Sequence, residues 1–210
     1  MTPRPYTPIQ RQKAVDAGRE RILAAARELI EVADAEPFSL EAVARRAGVS
    51  RMTIYNQFES KTKLLEALFE SLVAISPMAQ MGDVFAEEDP IAAFDAFIAL
   101  FGRFWTFSRR AHGRLRVAAI DDPELAAAVQ ARQERRRTAL TEIVRRLSPH
   151  VSPVVPSTEL VNVLYVMLSF DSFDAIAGPS RTPNDVVPIL RRMAHAVLGI
   201  KPIPRKTRRK

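Results

Sequence analysis

Cysteine is absent from all 210 residues, which excludes disulfide frameworks, thiolate metal sites and thiol nucleophiles. Histidine is scarce: His112, His150 and His195 are too scattered for a zinc cluster or an H-E-x-x-H helix. The seven glycines leave no G-x-G-x-x-G, no P-loop and no G-x-S-x-G nucleophile turn. No carboxylate pair or Ser/His/Asp spacing points to catalysis, so the chain reads as a non-enzyme without metal or cofactor. Long apolar runs are missing as well. Residues 91–101 are interrupted by Asp95 and 160–170 by Asn162, each stretch about half of the roughly 20 residues a spanning helix needs. Residues 1–10 hold Pro3, Pro5 and Pro8 and no apolar run, unlike a signal peptide. A cytoplasmic protein without a membrane partner is expected, in keeping with the missing cysteine.

Charge is present in both signs. The chain has 31 Lys+Arg against 24 Asp+Glu, a net +7 that suggests an anionic partner. Its distribution weakens that argument. Residues 1–76 carry 11 basic and 10 acidic groups, 77–200 carry 14 of each, and 201–210 carry six basic groups and no acid. Nearly all the excess is therefore a tail, read as basic and disordered. Residues 1–15, with Arg4, Arg11 and Lys13 and no acid before Asp16, read as a flexible basic arm that either tracks a groove of nucleic acid or stays solvated.

Prolines punctuate the rest. Residues 38–76, 91–122, 124–148 and 157–178 contain none, as helix interiors require. Ile22, Ala25, Ala26, Leu29, Ile30 and Ala33 recur at the spacing of one buried helix face, as do Leu64, Leu65, Leu68, Phe69, Leu72 and Ile75 after Ser60. No strand-length alternation occurs, so an all-α fold of about nine helices is expected. Two segments differ in texture: 16–60, with short helices, a tight turn and few aromatics, and 77–200, with longer apolar helices; the first domain is placed at 16–76 and a linker at 78–89.

The stretch Ser39–Phe58 reads SLEAVARRAGVSRMTIYNQF. Ser39 can cap a helix with Leu40, Val43 and Ala44 inward and Arg45 and Arg46 solvated. Gly48 supplies the positive φ that ends it, and Val49 packs the turn. Ser50 caps a second helix in which Ile54 and Phe58 face inward at i, i+4. That is a helix-turn-helix with its recognition helix at 51–57. Its outward set, Arg51, Met52, Thr53, Tyr55, Asn56 and Gln57, suits base edges and phosphates and contains no acid.

Leu23–Ala26, Phe38-Ser39, Val43-Ala44, AGVS at 47–50, Thr53-Ile54-Tyr55, Phe58 and Ser60-Lys61 with Leu64-Leu65 together resemble the DNA-binding domain of TetR-family regulators. The resemblance covers 16–76; residues 77–210 share only the architecture. It implies that Arg51, Met52 and Thr53 approach bases and that Tyr55, Asn56 and Gln57 contact bases or backbone. Ser39 and Ser50, both caps, join that surface, and Lys61 would meet phosphate at a helix N-terminus. Two residues depart from the family pattern. Met52 stands where many members have a small residue and Gln57 where many have His, so the operator cannot be copied from relatives.

In 77–200, Phe94, Phe97, Phe101, Phe104 and Trp105 share one helix face. They form either an ordinary aromatic core or, for Phe97, Phe101, Phe104 and Trp105, part of a mostly apolar effector pocket. The resemblance to ligand-responsive regulators supports the pocket. Helix 157–178 is apolar on nearly every side, so it must be buried against its own domain and a partner. With 184–199 it would form the four-helix dimer interface the resemblance implies, through Val166, Phe170, Phe173, Leu190, Met193 and Val197. Asn162, Tyr165 and Ser169 make a polar stripe that either orients a ligand or is satisfied at that interface. Pro188 belongs in the first turn of the last helix, or kinks it. The arginines of 124–148 read as a solvated face paired at i, i+3. The combined expectation is a homodimeric, ligand-released repressor on a pseudo-palindromic DNA operator. The competing readings are an activator or architectural protein without small-molecule control, and an enzyme or partner-binding helical protein that keeps the motif as scaffold.

Overall fold

The computed structural model describes residues 8–31 and 38–200, with backbone alone at 8–11 and 14. Among these residues the chain is all-α, as expected, with ten α-helices, three 3-10 turns and no strand. The helices are α1 (Pro8–Glu31), α2 (Leu40–Ala47), α3 (Arg51–Phe58), α4 (Lys61–Ile75) and α5 (Met81–Ala86). They continue with α6 (Pro90–Ala118), α7 (Pro123–Leu147), α8 (Ser157–Met167), α9 (Phe170–Ala177) and α10 (Val187–Leu198). Pro8, Pro90 and Pro123 each open a helix, and Pro188 lies in the first turn of α10. A missing N–H costs nothing there.

Several expectations change in the structure. Residues 8–15 of the expected arm are the first turns of α1; 1–7 and the tail 201–210 lie outside the described residues. The expected linker at 78–89 is largely helical, a 3-10 turn at Pro77–Gln80 running into α5. The expected helix 157–178 is two helices, broken at Leu168-Ser169. And α6, at 29 residues, is long and apolar enough by length and composition to cross a membrane. Asp95 and Arg103 interrupt its apolar run without ending it. Six of its large apolar side chains, Phe94, Phe97, Ile98, Leu100, Phe101 and Trp105, are nevertheless buried in the chain's own core, while Phe107 and Val117 are exposed.

The described residues divide between two compact units, 8–31 and 38–74 with Arg110–Ala131, and Ile75–Arg109 with 132–200. Arg110–Ala131, assigned by sequence to the larger segment, belongs with the first. The physical reason is a small cluster in which Leu115, Ala118, Ala128 and Val129 pack on Leu65, Phe69 and Leu125. The main core of the first unit gathers Ile22, Leu23, Ala26, Leu29 and Ile30 of α1 with Leu40 and Val43 of α2, Ile54 and Phe58 of α3, and Leu64 and Leu68 of α4. In the second unit the α6 aromatics pack with Leu140, Leu147, Leu164, Phe173, Leu190 and Leu198.

Candidate nucleic-acid interface

Two serines and a glycine set the helix-turn-helix. Ser39 is extended (φ −150°, ψ 160°) and its Oγ accepts from the Ala42 N–H at 3.1 Å, capping α2. At the other end Gly48 adopts φ 66°, ψ 36°. The Val49 N–H reaches back to the Ala44 carbonyl (3.0 Å) and the Gly48 N–H to that of Arg45 (3.3 Å), closing a Schellman turn. Ser50 then caps α3, its Oγ accepting from the Thr53 N–H at 3.1 Å and pairing with Thr53 Oγ1 at 2.9 Å. Ile54 and Phe58 anchor α3 in the core at 1% and 3% exposure. Their burial turns Arg51, Met52, Tyr55 and Asn56 to solvent, while Thr53 and Gln57 are half-buried.

The outward face is ordered rather than loose. Arg51 Nη1 meets Glu41 Oε1 of α2 at 2.5 Å, its Nη2 donates to the Tyr55 hydroxyl at 3.2 Å, and its guanidinium lies 5.5 Å from the Tyr55 ring centroid. The Tyr55 hydrogen bond and then the Glu41 carboxylate favour its charged form. The C-terminal end of α3 is held from α1. Arg19 donates to the Gln57 carbonyl at 3.0 Å and its guanidinium stacks 4.2 Å from the centroid of the Phe58 ring. Sequence reasoning missed both Glu41 and Arg19, because each acts across a helix boundary at no fixed spacing.

Glu59 ends α3 at φ 66°, ψ −40°, the one positive φ outside glycine among the described residues. The Ser60 N–H returns to the Phe58 carbonyl at 2.7 Å, closing a γ-turn centred on Glu59, a rare and strained arrangement for a residue with a Cβ. Glu59→Gly is expected to raise stability by a few tenths to about 1 kcal/mol, the relief of strain being partly offset by the freer unfolded chain. A thermal or urea melt at neutral pH checks it.

Lys61 is not the free cation the sequence suggested. Its Nζ pairs with Asp122 Oδ2 and lies 4.0 Å from Glu124 Oε2, with 19% of the side chain exposed. Thr62 Oγ1 donates to Glu124 Oε1 at 3.1 Å. The segment that opens α7 thus brings two carboxylates to the start of α4. Burial raises the Asp122 pKa, but the Lys61 hydrogen bond, the Leu125 N–H and the Lys61 charge together outweigh it and hold the group below its usual value. A lowered folded-state pKa stabilises the protein above the unfolded value and is lost as pH falls through the folded one. Asp122→Asn should therefore lower the unfolding midpoint at neutral pH, with the gap to wild type closing below about pH 4.

The residues expected to line a pocket divide. Phe97, Phe101 and Trp105 are buried and Phe104 is half-buried. Their rings stack along α6, with centroids 4.7 Å apart for Phe97–Phe101, 5.6 Å for Phe101–Trp105 and 4.8 Å for Phe104–Trp105. Phe170 closes the group 5.7 Å from Trp105. The polar stripe does not exist as one face. Ser169 lies beyond the helix break and caps α9 through the Ser172 N–H at 3.2 Å, whereas Asn162 and Tyr165 stay on α8 and meet arginines of α7.

The residues expected at a dimer interface divide likewise. Val166 is 63% exposed and Met193 44%, and Val197 is half-buried. Phe173 and Leu190 have no exposed surface and Phe170 is buried, all three inside the chain's own core. A side chain already enclosed has no area to offer a partner, so these three do not form such a face.

Residues 22–68, from α1 through most of α4, match the family model described as bacterial regulatory proteins, tetR family. No curated protein matches the sequence. Among solved structures the chain is similar to NalD, the secondary repressor of the MexAB-OprM multidrug efflux pump in Pseudomonas aeruginosa. The identity is 18% over 89% of this chain and 98% of that one, with a TM-score of 0.65. A transcriptional regulator from Rhodococcus sp. Rha1 is 23% identical over 88% of this chain and 99% of its own, TM-score 0.61. A TetR transcription regulator from Haloarcula marismortui is 15% identical over 87% and 97%, TM-score 0.63. At these identities the likeness is one of fold.

Proposed function

The chain belongs, through residues 22–68, to the tetR family of bacterial regulatory proteins, and we propose that this DNA-binding transcriptional regulator is a cytoplasmic, homodimeric repressor released by a small effector. The observation that carries the DNA side is α3: capped by Ser50, anchored by Ile54 and Phe58, and free of acids on the face that holds Arg51, Met52, Tyr55 and Asn56. Arg51 suits the O6 and N7 of guanine, and the Met52 thioether suits a thymine methyl. Two copies would read half-sites about 34–36 Å apart, or a multiple of that. Exposed Val166 and Met193, on helices that each bury one face in the chain's own core, support a self-association face. Release follows if the effector prefers the conformation that does not fit DNA, typically by about 1–3 kcal/mol of coupling.

In this reading Lys61 passes from Asp122 to a backbone phosphate when DNA arrives. Asp122→Asn should then tighten DNA binding, because no carboxylate competes with the phosphate for Lys61, while the salt dependence keeps its slope, even as the substitution weakens the fold. Selection from a random duplex pool tests the whole proposal. Enrichment of a two-fold-related pair of half-sites bound by a dimer supports it; a pool without enriched sequence overturns it.

A further inference from the structure

The arginines of α7 were expected to form one solvated face, and Glu142 with Arg145 (2.7 Å, i, i+3) fits that description. Arg136 does not. Only 8% of its surface is exposed. Its Nη1 donates to the carbonyls of Tyr165 (3.1 Å) and Leu168 (3.2 Å), its Nε to Gln133 Oε1 (3.2 Å), and its guanidinium lies 3.8 Å from the centroid of the Tyr165 ring. The Arg137 guanidinium lies 4.3 Å from the same centroid, and its Nη1 donates to Asn162 Oδ1 at 2.7 Å. Asn162 in turn donates to Glu159 Oε2 at 3.2 Å, and the Tyr165 hydroxyl to Gln133 Oε1 at 3.3 Å. Among the described residues no carboxylate pairs with either guanidinium.

Two like charges therefore share one tyrosine, and one of them is buried. The carbonyls at the end of α8 carry only a fraction of a charge each, so a net positive site remains in a place where an unpaired ion is costly. Burial first, and the Arg137 charge after it, disfavour the charged form of Arg136, against the stabilising contact with Tyr165. Beside it lies an apolar wall. Trp105 Nε1 donates to the same Leu168 carbonyl at 3.4 Å, and Trp105 packs at a tilt against Phe101 and Phe104 and edge-on against Phe170.

We infer that Arg136, Arg137 and Tyr165 form the recognition site for a small organic carboxylate, with its head on the half-buried Arg137 guanidinium backed by Arg136 and its apolar body against the half-buried ring of Phe104, next to Trp105. The inference rests on the ligand-released reading above and names the chemical class of that effector. A planar monoanion matches a guanidinium fork and neutralises the one buried charge, Arg136, while Arg137 keeps partial contact with solvent. Because Arg136 also fastens the carbonyls at the break between α8 and α9, a carboxylate that draws on its N–H groups bears directly on that bend.

Trp105 is the only tryptophan in the chain, so its emission reports on this site alone. The full chain is titrated with benzoate and hexanoate, and in parallel with benzamide and hexanamide, following Trp105 emission and the thermal midpoint. Both carboxylates should shift emission saturably and raise the midpoint, with the amides about tenfold weaker or worse. Read against the variant's own unliganded midpoint, Arg137→Gln should weaken carboxylate binding by about tenfold. Arg136→Met should weaken it at least as much. Equal binding of the amides, indifference to Arg137→Gln, or no response to either carboxylate up to about 10 mM overturns the site. Operator DNA separates the two readings. A carboxylate that binds without releasing DNA upholds the site and removes ligand release. Release by the neutral amides, insensitive to Arg137→Gln, does the reverse.

Discussion

Replacing Arg51 and Tyr55 together by alanine is expected to lower specific operator affinity by about a hundredfold, some 3 kcal/mol, at fixed salt. The size follows from what the pair does on α3. In the proposed reading Arg51 would leave Glu41 and turn its fork to guanine, and Tyr55 would hold that donor as it does in the free protein, by its hydroxyl (3.2 Å) and its ring (5.5 Å). The fold should hardly notice. Both side chains are exposed, and the Arg51–Glu41 pair lost with them is an exposed ion pair of little worth to stability. Specific and non-specific duplexes, titrated side by side, check the result: the gap between them should shrink while the melting midpoint stays put. Unchanged discrimination in the double variant would sink the assignment of α3 as the reading element.

Gly199→Ala is expected to lower the melting midpoint by about 5–10 °C, equivalent to some 2–4 kcal/mol. Gly199 ends α10 at φ 69°, and a Cβ placed there meets the Ser152 carbonyl oxygen at 2.1 Å. That oxygen is backbone, and it is fixed. The Ser152 N–H donates to the Leu198 carbonyl (3.2 Å) and the Val154 N–H to that of Val197 (2.9 Å), pinning the segment before α8 to the end of α10. Two other glycines calibrate the effect. Gly48 has the same sign of φ with nothing within 4 Å, so Gly48→Ala should cost only about 1 kcal/mol. At Gly102 a Cβ meets Val187 Cγ2 at 2.2 Å, the end of a side chain that can turn aside, and the loss should fall between the other two. If all three alanines cost the same, close approach at residue 199 is not what the glycine is there for.

The helix-turn-helix was legible in the sequence because every signal in it is local. Ser39, Gly48 and Ser50 act on backbone within three or four residues, and Ile54 and Phe58 are one turn apart. The α6 aromatics were legible as a face for the same reason. What escaped was what distant residues impose. The break between α8 and α9 sits inside an apolar run with no proline or glycine, and its carbonyls are met by Arg136, about thirty positions earlier in the chain. The occupation of Lys61 by Asp122 spans 61 positions. Arg136 itself lies in a run of three arginines, and composition cannot tell the one that turns inward from those that stay in water.

The arrangement of α3 separates two kinds of selection. Ile54 and Phe58 carry its attachment to the protein, whereas Arg51, Met52, Tyr55 and Asn56 project into solvent and the fold asks little of them. Exposed positions of this kind usually change stability by less than about 0.5 kcal/mol when substituted. A lineage could therefore alter what the helix reads, one side chain at a time, without passing through unfolded intermediates. Gene targets can be exchanged over evolutionary time while the scaffold that presents the helix is inherited intact.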